Sequence, residues 1–267
     1  MIYLEVLGGL CNRMRTIASF YAFMVEHGIE EKFTVIWTCD SGMNCQYDNL
    51  FQLNSLYEMV YPSVFIKEKV ILKPVWILGK RLLNGVERIR QVSTIEDVPV
   101  SKFLDRKKDV YIRSCHQIYH KTDFSIFEPH NRYVEKVNEI MESAGNRKIY
   151  GIHIRRSDNE QSIKHSPIKL FVEAIQEELD KNPYSLFYLA SDDKECKQKI
   201  KSQFMDAIIT QSDVEFVRNS KEGIECALLD LMALSRCEKI YGSYYSSFSE
   251  VAAKWGGTKL VVLEEPS

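Results

Sequence analysis

Apolar residues along the chain follow two spacings, and the first segment shows both. IYLEVL, directly after the first methionine, is a mostly apolar run of strand length that ends in a glycine pair. Residues 12–28 then place apolar side chains at helical spacing: Met14, Ile17, Ala18, Tyr21 and Val25. KFTVIWTC follows as a second strand. The opening therefore predicts a β–turn–α–β unit, the start of an α/β sheet.

The middle of the chain is less regular and more basic. An apolar stripe at helical spacing predicts a helix over 75–92, formed by Val75, Leu78, Leu82, Val86 and Ile89. From Ile66 to Asp109, eleven lysines and arginines stand against six acidic residues. Two interpretations stay open: a core-packing helix with a solvated polar face, or a basic patch that approaches a membrane or an acidic acceptor.

Strands and helices alternate regularly again in the last part of the chain. The predicted strands are IYGIHI, SLFYLAS, VEFVR, EKIYGS and KLVVLE. The first helix after IYGIHI has Ser166 as its expected N-cap and Pro167 at its first position. This alternation is typical of a parallel sheet covered on both faces. We expect an α/β protein with two Rossmann-like domains, 1–140 and 141–267, facing a central cleft.

Composition excludes several classes of protein. The 267 residues are 45% apolar and 27% charged, as in ordinary soluble domains, and the formal net charge of −2 gives no electrostatic case for nucleic acid binding. No signal peptide pattern and no apolar run of about 20 residues is present. Seven cysteines without a CxxC pair favour reduced thiols. We expect a cytoplasmic protein.

Polar residues follow the predicted strands at their carboxyl ends, where open α/β sheets bind ligands. The stretches are LGGLCNR, HIRRSDN, LASDD and GSYYSSFS. In the second of these, Arg155 and Arg156 follow an apolar strand. A guanidinium is a planar fork of donors that suits bidentate capture of phosphate. The alternative is a structural ion pair with Asp158 or another acid.

The other strand ends offer anion and hydroxyl ligands. Ser246 and Ser247 stand at a strand-to-helix junction, where free N–H groups form an anion site, although helix capping by Ser247 is the simpler interpretation. GGLCNR lacks both the GxGxxG and the P-loop spacing, which argues against a dinucleotide enzyme or a P-loop kinase. It places Asn12 at the start of the first helix.

Acidic residues near these ends suit ribose hydroxyls or a guanine edge, although capping and solvent exposure are equally ordinary roles. Asp192 and Asp193 end a strand, and Asp230 lies among apolar residues, where a buried carboxylate needs a partner. His116 and His120 have the spacing of a helical metal pair, but no third ligand is evident. We predict no metal site.

Four motifs in this order resemble those of the GDP-fucose-dependent fucosyltransferase superfamily. They are GGLCNR after the first strand, HIRRSD, YLASDD, and LLDLMALSRCEKIYGSYYSSFS. The paired arginines are most similar to the α1,6 and Nod-factor enzymes, and SSF to the protein O-fucosyltransferases. The resemblance covers 149–264 and 1–40 and does not extend to the basic middle. It implies a GT-B fold with the GDP-sugar held by the C-terminal domain and the acceptor by the N-terminal one.

The resemblance also assigns roles to residues. Arg155 would contact the diphosphate and assist departure of GDP, and His153 and Asp230 would lie at the guanine. Ser246, Ser247 and Phe248 would close on the donor, and Asn12 would reach it from the N-terminal domain. The complete set of donor-side candidates is Asn12, His153, Arg155, Arg156, Asp192, Asp230, Ser246, Ser247 and Phe248.

The implied reaction transfers fucose from GDP-fucose to a glycan with inversion and without a metal. Glu160 is the available general base and Asp158 its rival, because the loop after the arginines departs from the family pattern. The alternatives are another sugar nucleotide or a non-catalytic nucleotide- or sugar-binding protein. The short chain suggests a bacterial cytosolic member that acts on an oligosaccharide or lipid-linked acceptor. The basic segment 66–109 would then contact the inner membrane surface.

Overall fold

The structure is a computed structural model. It describes residues 1–62, 86–89 (backbone alone), 94–104, 109–211 and 220–265. The chain divides into two compact units. The first comprises Met1–His130 with Arg218–Ile224, and the second Asn131–Val217 with Glu225–Ser267.

The first unit is built on a five-stranded parallel sheet with the order β3-β2-β1-β5-β4. Its strands are β1 (Ile2–Val6), β2 (Phe33–Trp37), β3 (Tyr57–Val60), β4 (Val86–Ile89) and β5 (Asp109–Ser114). Its described helices are α1 (Leu10–Glu26) and the short α2 (Ser101–Leu104), with a 3₁₀ turn at Tyr47–Asn49. All five residues of β2 are buried, as expected for a strand inside a parallel sheet.

Aromatic side chains hold α1 and α2 together and pack α1 on the sheet. Phe20 of α1 packs edge-on against Phe33 of β2, with ring centroids 5.0 Å apart. Phe23 meets Phe103 of α2 at the same distance. Rings in T-shaped contact gain energy beyond the apolar area that they bury. The predicted β–turn–α–β opening is confirmed.

The expected helix over 75–92 is wrong where the structure describes that segment. Residues 86–89 form β4, which pairs in parallel with β5 at the edge of the sheet. Ladder pairing with a neighbouring strand overrides the helical spacing of the apolar residues, because the segment gains its hydrogen bonds from the sheet. The rest of that predicted helix lies outside the described residues.

The second unit repeats the architecture with the strand order β10-β9-β6-β7-β8, again all parallel. Its strands are β6 (Ile149–Ile154), β7 (Leu186–Ser191), β8 (Ile208–Ile209), β9 (Lys239–Ser243) and β10 (Lys259–Leu263). Its helices are α3 (Asn131–Glu142), α4 (Glu160–His165), α5 (Ile168–Lys181), α6 (Lys194–Phe204), α7 (Lys221–Ser235), whose first turn is grouped with the first unit, and α8 (Ser247–Gly256).

The core of the second unit lies between β6, β7 and the helices α5 and α6. Its fully buried members include Ile152, Ile154, Phe171, Ile175, Phe187, Leu189 and Ile200. Gly242 of β9 allows α8 to approach, because a Cβ atom there would lie 2.5 Å from Ser249 Oγ. The sheet is therefore covered closely at the strand that leads into α8.

Most predicted elements of this unit are confirmed, and two expectations need comment. Ser166 does not cap α5, which begins at Ile168 after Pro167. The Ser166 hydroxyl instead donates to Leu263 O at 2.5 Å and accepts from the N–H of Tyr244 at 2.7 Å, so its side chain is committed elsewhere. The predicted strand VEFVR lies outside the described residues.

None of the helices in the described part of the chain is both long enough and apolar enough to cross a bilayer.

A buried carboxylate ties α5 to β9 at the amino-terminal edge of the second sheet. Glu178 accepts hydrogen bonds from Lys239 Nζ at 2.8 Å and from Tyr241 Oη at 2.6 Å. Burial alone would raise the pKa of Glu178, but these donors and Lys181 outweigh it and lower that pKa to about 2. The ionised carboxylate therefore stabilises the folded state.

We predict that Glu178→Gln lowers the free energy of unfolding at pH 7 by about 1–3 kcal/mol, the usual value of hydrogen bonds to a charged group. The pKa of Glu178 falls from its ordinary value of 4.5 to about 2 on folding, so its contribution is complete above pH 4.5 and is lost as the pH falls towards 2. Urea unfolding of wild type and variant at pH 7, 4 and 3 should show a shrinking difference. A difference that does not depend on pH would contradict this account.

Candidate functional site

Three loops meet at the carboxyl edge of the second sheet. The register pairs Ile154 of β6 with Ser191 of β7, and His153 of β6 with Gly242 of β9. Adjacent parallel strands therefore end side by side, and the residues that follow them become neighbours although they lie far apart in sequence. We take this edge as the candidate site.

Arg155, the first residue after β6, is held between two carboxylates. Its Nη1 lies 2.9 Å from Asp192 Oδ2, and its Nη2 bonds to Asp158 Oδ1. Its N–H donates to Ser243 Oγ at 3.0 Å, and its side chain is only 14% exposed. The structural ion pair with Asp158 is present, and the guanidinium is also fixed at the strand end.

Asp192 organises the loop after β6. Its Oδ1 accepts the N–H of Arg156 at 2.7 Å, and its Oδ2 accepts the Ser157 hydroxyl at 2.6 Å. Burial opposes ionisation, but the charge of Arg155 and these hydrogen bonds outweigh it and lower the pKa of Asp192. The carboxylate is charged near neutral pH and sets the direction of the Arg155 fork.

Arg156 turns away from this arrangement. Its guanidinium donates to Ile163 O at 3.2 Å and to Ser166 O, both carbonyls at the end of α4. The last carbonyls of a helix lack intrahelical partners, and an arginine there satisfies them. The adjacent arginines therefore have different surroundings, which the dipeptide alone does not indicate.

His153 lies buried beneath Phe248. The two rings are stacked with centroids 4.8 Å apart and an interplanar angle of 23°. Burial lowers the pKa of His153 to about 4, so the imidazole is neutral at pH 7. Its Nδ1 is buried and has no hydrogen-bond partner among the described residues. An unpaired buried ring nitrogen is costly, and a ligand could supply its partner.

Asp230, on α7, has the partners that its burial requires. Its Oδ1 accepts from Tyr188 Oη at 2.6 Å and from Gln211 Nε2 at 2.5 Å. Burial raises its pKa despite the nearby Lys197. Among the described residues, no hydrogen bond, ion pair or ring contact joins Asp230 to His153. Tyr188 and Gln211 were missed by sequence reasoning, although each is a polar residue in or beside an apolar strand.

The serines after β9 lie at the start of α8. Ser246 rather than Ser247 is the N-cap residue, and its side chain makes no capping hydrogen bond. Ser246, Ser247 and Phe248 are each half-buried. The first-turn N–H groups of a helix of ten residues and the Ser246 hydroxyl, which makes no capping bond, offer donors to an anion.

The loop after β6 is tied to the loop after β9. Asn159 caps α4 by accepting from the N–H of Ser162 at 3.1 Å, and its Nδ2 donates to Tyr245 O at 2.9 Å. Ser162 Oγ donates to Tyr244 O at 2.6 Å. Glu160 follows in the first turn of α4 and is exposed, as is Asp158. Both candidate bases therefore have contact with solvent.

In the first unit, Asn12 packs over the turn after β1. A Cβ atom on Gly8, whose φ is +79°, would lie 2.8 Å from Asn12 Nδ2. The next residue, Arg13, is fully buried and donates to Gly8 O at 2.7 Å and to Thr38 O at 2.8 Å. Arg13 therefore stabilises the turn after β1. The half-buried Asn12 is the other polar side chain in the first turn of α1.

The two histidines with metal-pair spacing do not lie on a helix. His116 and His120 follow β5 in a loop, and His120 Nδ1 lies 2.9 Å from Glu96 Oε1. In the described part of the chain, no three His, Cys, Asp or Glu side chains are grouped to hold a metal ion.

A separate cavity of about 520 Å³ lies at the opposite, amino-terminal edge of the second sheet. Its charged lining residues, Arg147, Lys148, Arg236 and Glu238, are all exposed. The carboxyl edge is the better candidate because Arg155 and Asp192 there are largely buried and orient each other, and because the buried His153 has a ring nitrogen without a partner among the described residues.

Comparison with solved structures finds that the chain is similar in structure to several fucosyltransferases. The whole chain aligns with 70% of the chain of Arabidopsis thaliana FUT1, whose structure is that of an arginine-to-lysine mutant in complex with GDP. The TM-score is 0.61 and the sequence identity is 15%. In a second match, 94% of the chain aligns with 91% of the α-1,6-fucosyltransferase NodZ, co-crystallised with GDP, at a TM-score of 0.58 and 13% identity. In a third match, 98% of the chain aligns with 97% of POFUT1 in complex with GDP-fucose, with a TM-score of 0.56 and 12% identity.

At such identities the likeness shows a shared fold. The expected α/β fold of GT-B type is confirmed, and the resemblance drawn from the sequence motifs agrees with the structures that share this fold. Searches with protein-family models and against curated protein sequences find no match.

We predict that Arg156→Gln destabilises the fold by about 2–3 kcal/mol, because it removes charged donors from two helix-end carbonyls. Arg155→Gln should cost less, because Asp192 keeps its hydrogen bonds from Arg156 and Ser157. Urea unfolding followed by circular dichroism measures both variants. Equal losses, or a neutral Arg156→Gln, would contradict the different roles given to the two arginines.

Proposed function

We propose that this protein is a glycosyltransferase that uses GDP-fucose, with the donor bound at the carboxyl edge of the second sheet. The observation that carries the proposal is Arg155, a largely buried guanidinium held by Asp192 at the end of β6 and close in sequence to the stacked His153. The shared fold with fucosyltransferases in complex with GDP or GDP-fucose supports it.

Arg155 would meet the diphosphate of the donor. Its Nη1 would stay on Asp192, and its Nη2 would exchange the exposed Asp158 for a phosphate oxygen. When the bond between the sugar C1 and the β-phosphate oxygen breaks, negative charge grows on that oxygen. A guanidinium already oriented there stabilises the transition state more than the ground state.

The remaining donor contacts are assigned by chemistry. The neutral His153 would use its unpaired Nδ1 on the nucleotide, and Phe248 would move aside or stack on the base. Asp230 would pair with the guanine edge through a rearranged Tyr188–Gln211 network. Ser246 and Ser247 would donate to phosphate, and Asn12 on α1 would be a further donor ligand.

The transfer that we propose inverts the anomeric centre and needs no metal. An acceptor hydroxyl attacks C1 from the face opposite GDP, C1 loses its bond to the phosphate oxygen, and the hydroxyl proton passes to a carboxylate. Glu160 and Asp158 are the candidate bases, since both are exposed next to Arg155 in the chain. A carboxylate within reach of that proton contributes typically about 10²–10⁴-fold to the rate.

The acceptor that we propose is an oligosaccharide or a lipid-linked glycan in polysaccharide biosynthesis in a bacterial cytoplasm. Residues 66–109 carry the positive charge that would attract an anionic membrane surface. Most of that segment lies outside the described residues, so its sequence alone supports this part of the proposal.

A thermal-shift screen tests the donor. GDP and GDP-fucose should raise Tm with and without EDTA, since a ligand at 100 times its Kd stabilises by about 2.7 kcal/mol. GDP-mannose, UDP-sugars and ADP complete the panel. Stabilisation by a UDP-sugar alone would mean another sugar nucleotide, and the absence of any shift would remove the proposal. Binding of GDP-fucose without turnover on any glycan would favour the non-catalytic alternative.

Arg155→Ala should lower the rate of fucose release from GDP-fucose by about 10²–10³-fold, the usual cost of one lost donor to transition-state charge. The matched control is Arg147→Ala, an exposed arginine at the other edge of the same sheet. Release of GDP, measured by a coupled assay, reports both rates. Near-normal turnover in Arg155→Ala, with an intact circular dichroism spectrum, would contradict the assignment.

A further inference from the structure

Tyr245 has a conformation and an exposure that folding alone does not favour. Its φ is +54°, in the left-handed region that bulky residues seldom enter, and its side chain is 74% exposed. The ring therefore buries little apolar area in return for a strained backbone. Such strain persists where the surrounding structure holds it, and it concentrates at binding and catalytic sites.

The surrounding structure does hold it. Tyr245 O accepts from Asn159 Nδ2 at 2.9 Å, and the preceding Tyr244 O accepts from Ser162 Oγ at 2.6 Å. The N–H of Tyr244 donates to Ser166 Oγ at 2.7 Å. Three side chains of the segment around α4 thus fix both tyrosine backbones. The exposed ring stands on a rigid loop.

Two further rings continue the surface. The Tyr244 and Tyr245 rings have centroids 6.1 Å apart and lie 32° from parallel, and His165 lies 5.0 Å from Tyr244. We call Tyr245, Tyr244 and His165 the aromatic ledge. The faces of its tyrosine rings are apolar, and the edges of the ledge carry two hydroxyls and the two nitrogens of the imidazole.

We propose that the aromatic ledge binds a pyranose ring of the acceptor glycan by stacking. One face of a pyranose presents axial C–H groups, which the negative face of an aromatic ring attracts, while hydroxyls at the sugar's rim need polar partners. This proposal rests on the proposed function, because Tyr245 directly precedes Ser246 and its carbonyl is bound by Asn159, the neighbour of Asp158 and Glu160.

The surroundings of the ledge favour a sugar over an apolar partner. Asp158 and Glu160 are exposed on either side of Asn159, whose amide binds Tyr245 O, and carboxylates accept hydrogen bonds from sugar hydroxyls while they would oppose an anionic or apolar ligand. The helix α4 exposes one large aliphatic side chain, Ile163, which is 40% exposed. A nucleobase could also stack on these rings, and the measurement of GDP affinity below distinguishes a nucleobase from a sugar.

The test compares Tyr245→Gly with Tyr184→Gly, which removes a tyrosine of similar exposure, 77%, from the turn before β7. Tyr245→Phe keeps the ring. The probes are methyl β-glucoside, methyl β-galactoside and methyl β-cellobioside, detected by saturation-transfer NMR. Glycine tolerates a positive φ, so Tyr245→Gly should keep its Tm within about 2 °C of wild type.

Saturation transfer to the axial protons should be seen with wild type, Tyr184→Gly and Tyr245→Phe. Tyr245→Gly should weaken glycoside binding at least about fivefold, the loss expected for one stacked ring. Equal binding in Tyr245→Gly and wild type, or no transfer to any glycoside in wild type, would overturn the proposal.

GDP affinity, measured by calorimetry on the same proteins, separates the two proposals. It should be equal in wild type and Tyr245→Gly. A loss of GDP affinity in Tyr245→Gly would mean that the ring stacks on the donor base, which overturns an acceptor role. If the wild-type protein binds glycosides at the aromatic ledge but does not bind GDP, the proposal of a sugar site stands and the proposed donor is refuted.

Discussion

The hydrogen bonds accepted by the Asp192 carboxylate hold the candidate site together. One largely buried carboxylate just after β7 receives the N–H of Arg156, the hydroxyl of Ser157 and the guanidinium of Arg155. The parallel register makes β6 and β7 end side by side at the same edge, so a single side chain after β7 can hold the loop after β6. Without that acceptor, Arg155 would lose its largely buried partner and the loop would lose the bond to the N–H of Arg156.

The two carboxylate partners of Arg155 differ in their exposure to solvent. Arg155 has one fixed partner, Asp192, and one exposed partner, Asp158, so in the proposed function a diphosphate would replace the second without disturbing the first. Preorganised charge of this kind is effective because little reorganisation is needed when the reaction occurs. The neutral His153, with a ring nitrogen that lacks a partner among the described residues, adds a second place where a ligand would complete the structure.

Much of the fold could be predicted from sequence because its strands are buried runs bounded by clear helix signals. The carboxyl-end rule also identified the loops that carry Arg155, Asp192 and Ser246. The edge strands β3, β4 and β8 were missed, since β4 has a helical spacing and β3 and β8 have only four and two residues. The separate roles of Arg155 and Arg156 depend on which carbonyls and carboxylates surround them, and the partners Tyr188 and Gln211 of Asp230 come from distant segments. Tertiary contacts of this kind leave no local pattern.

The most direct measurement is a crystal structure of the protein grown with GDP. This account predicts a diphosphate oxygen within hydrogen-bond distance of Arg155 Nη2, in the place of Asp158 Oδ1, with the bond between Arg155 Nη1 and Asp192 retained. A diphosphate bound away from the carboxyl edge of the second sheet, or an Arg155 still paired with Asp158 beside bound GDP, would contradict it.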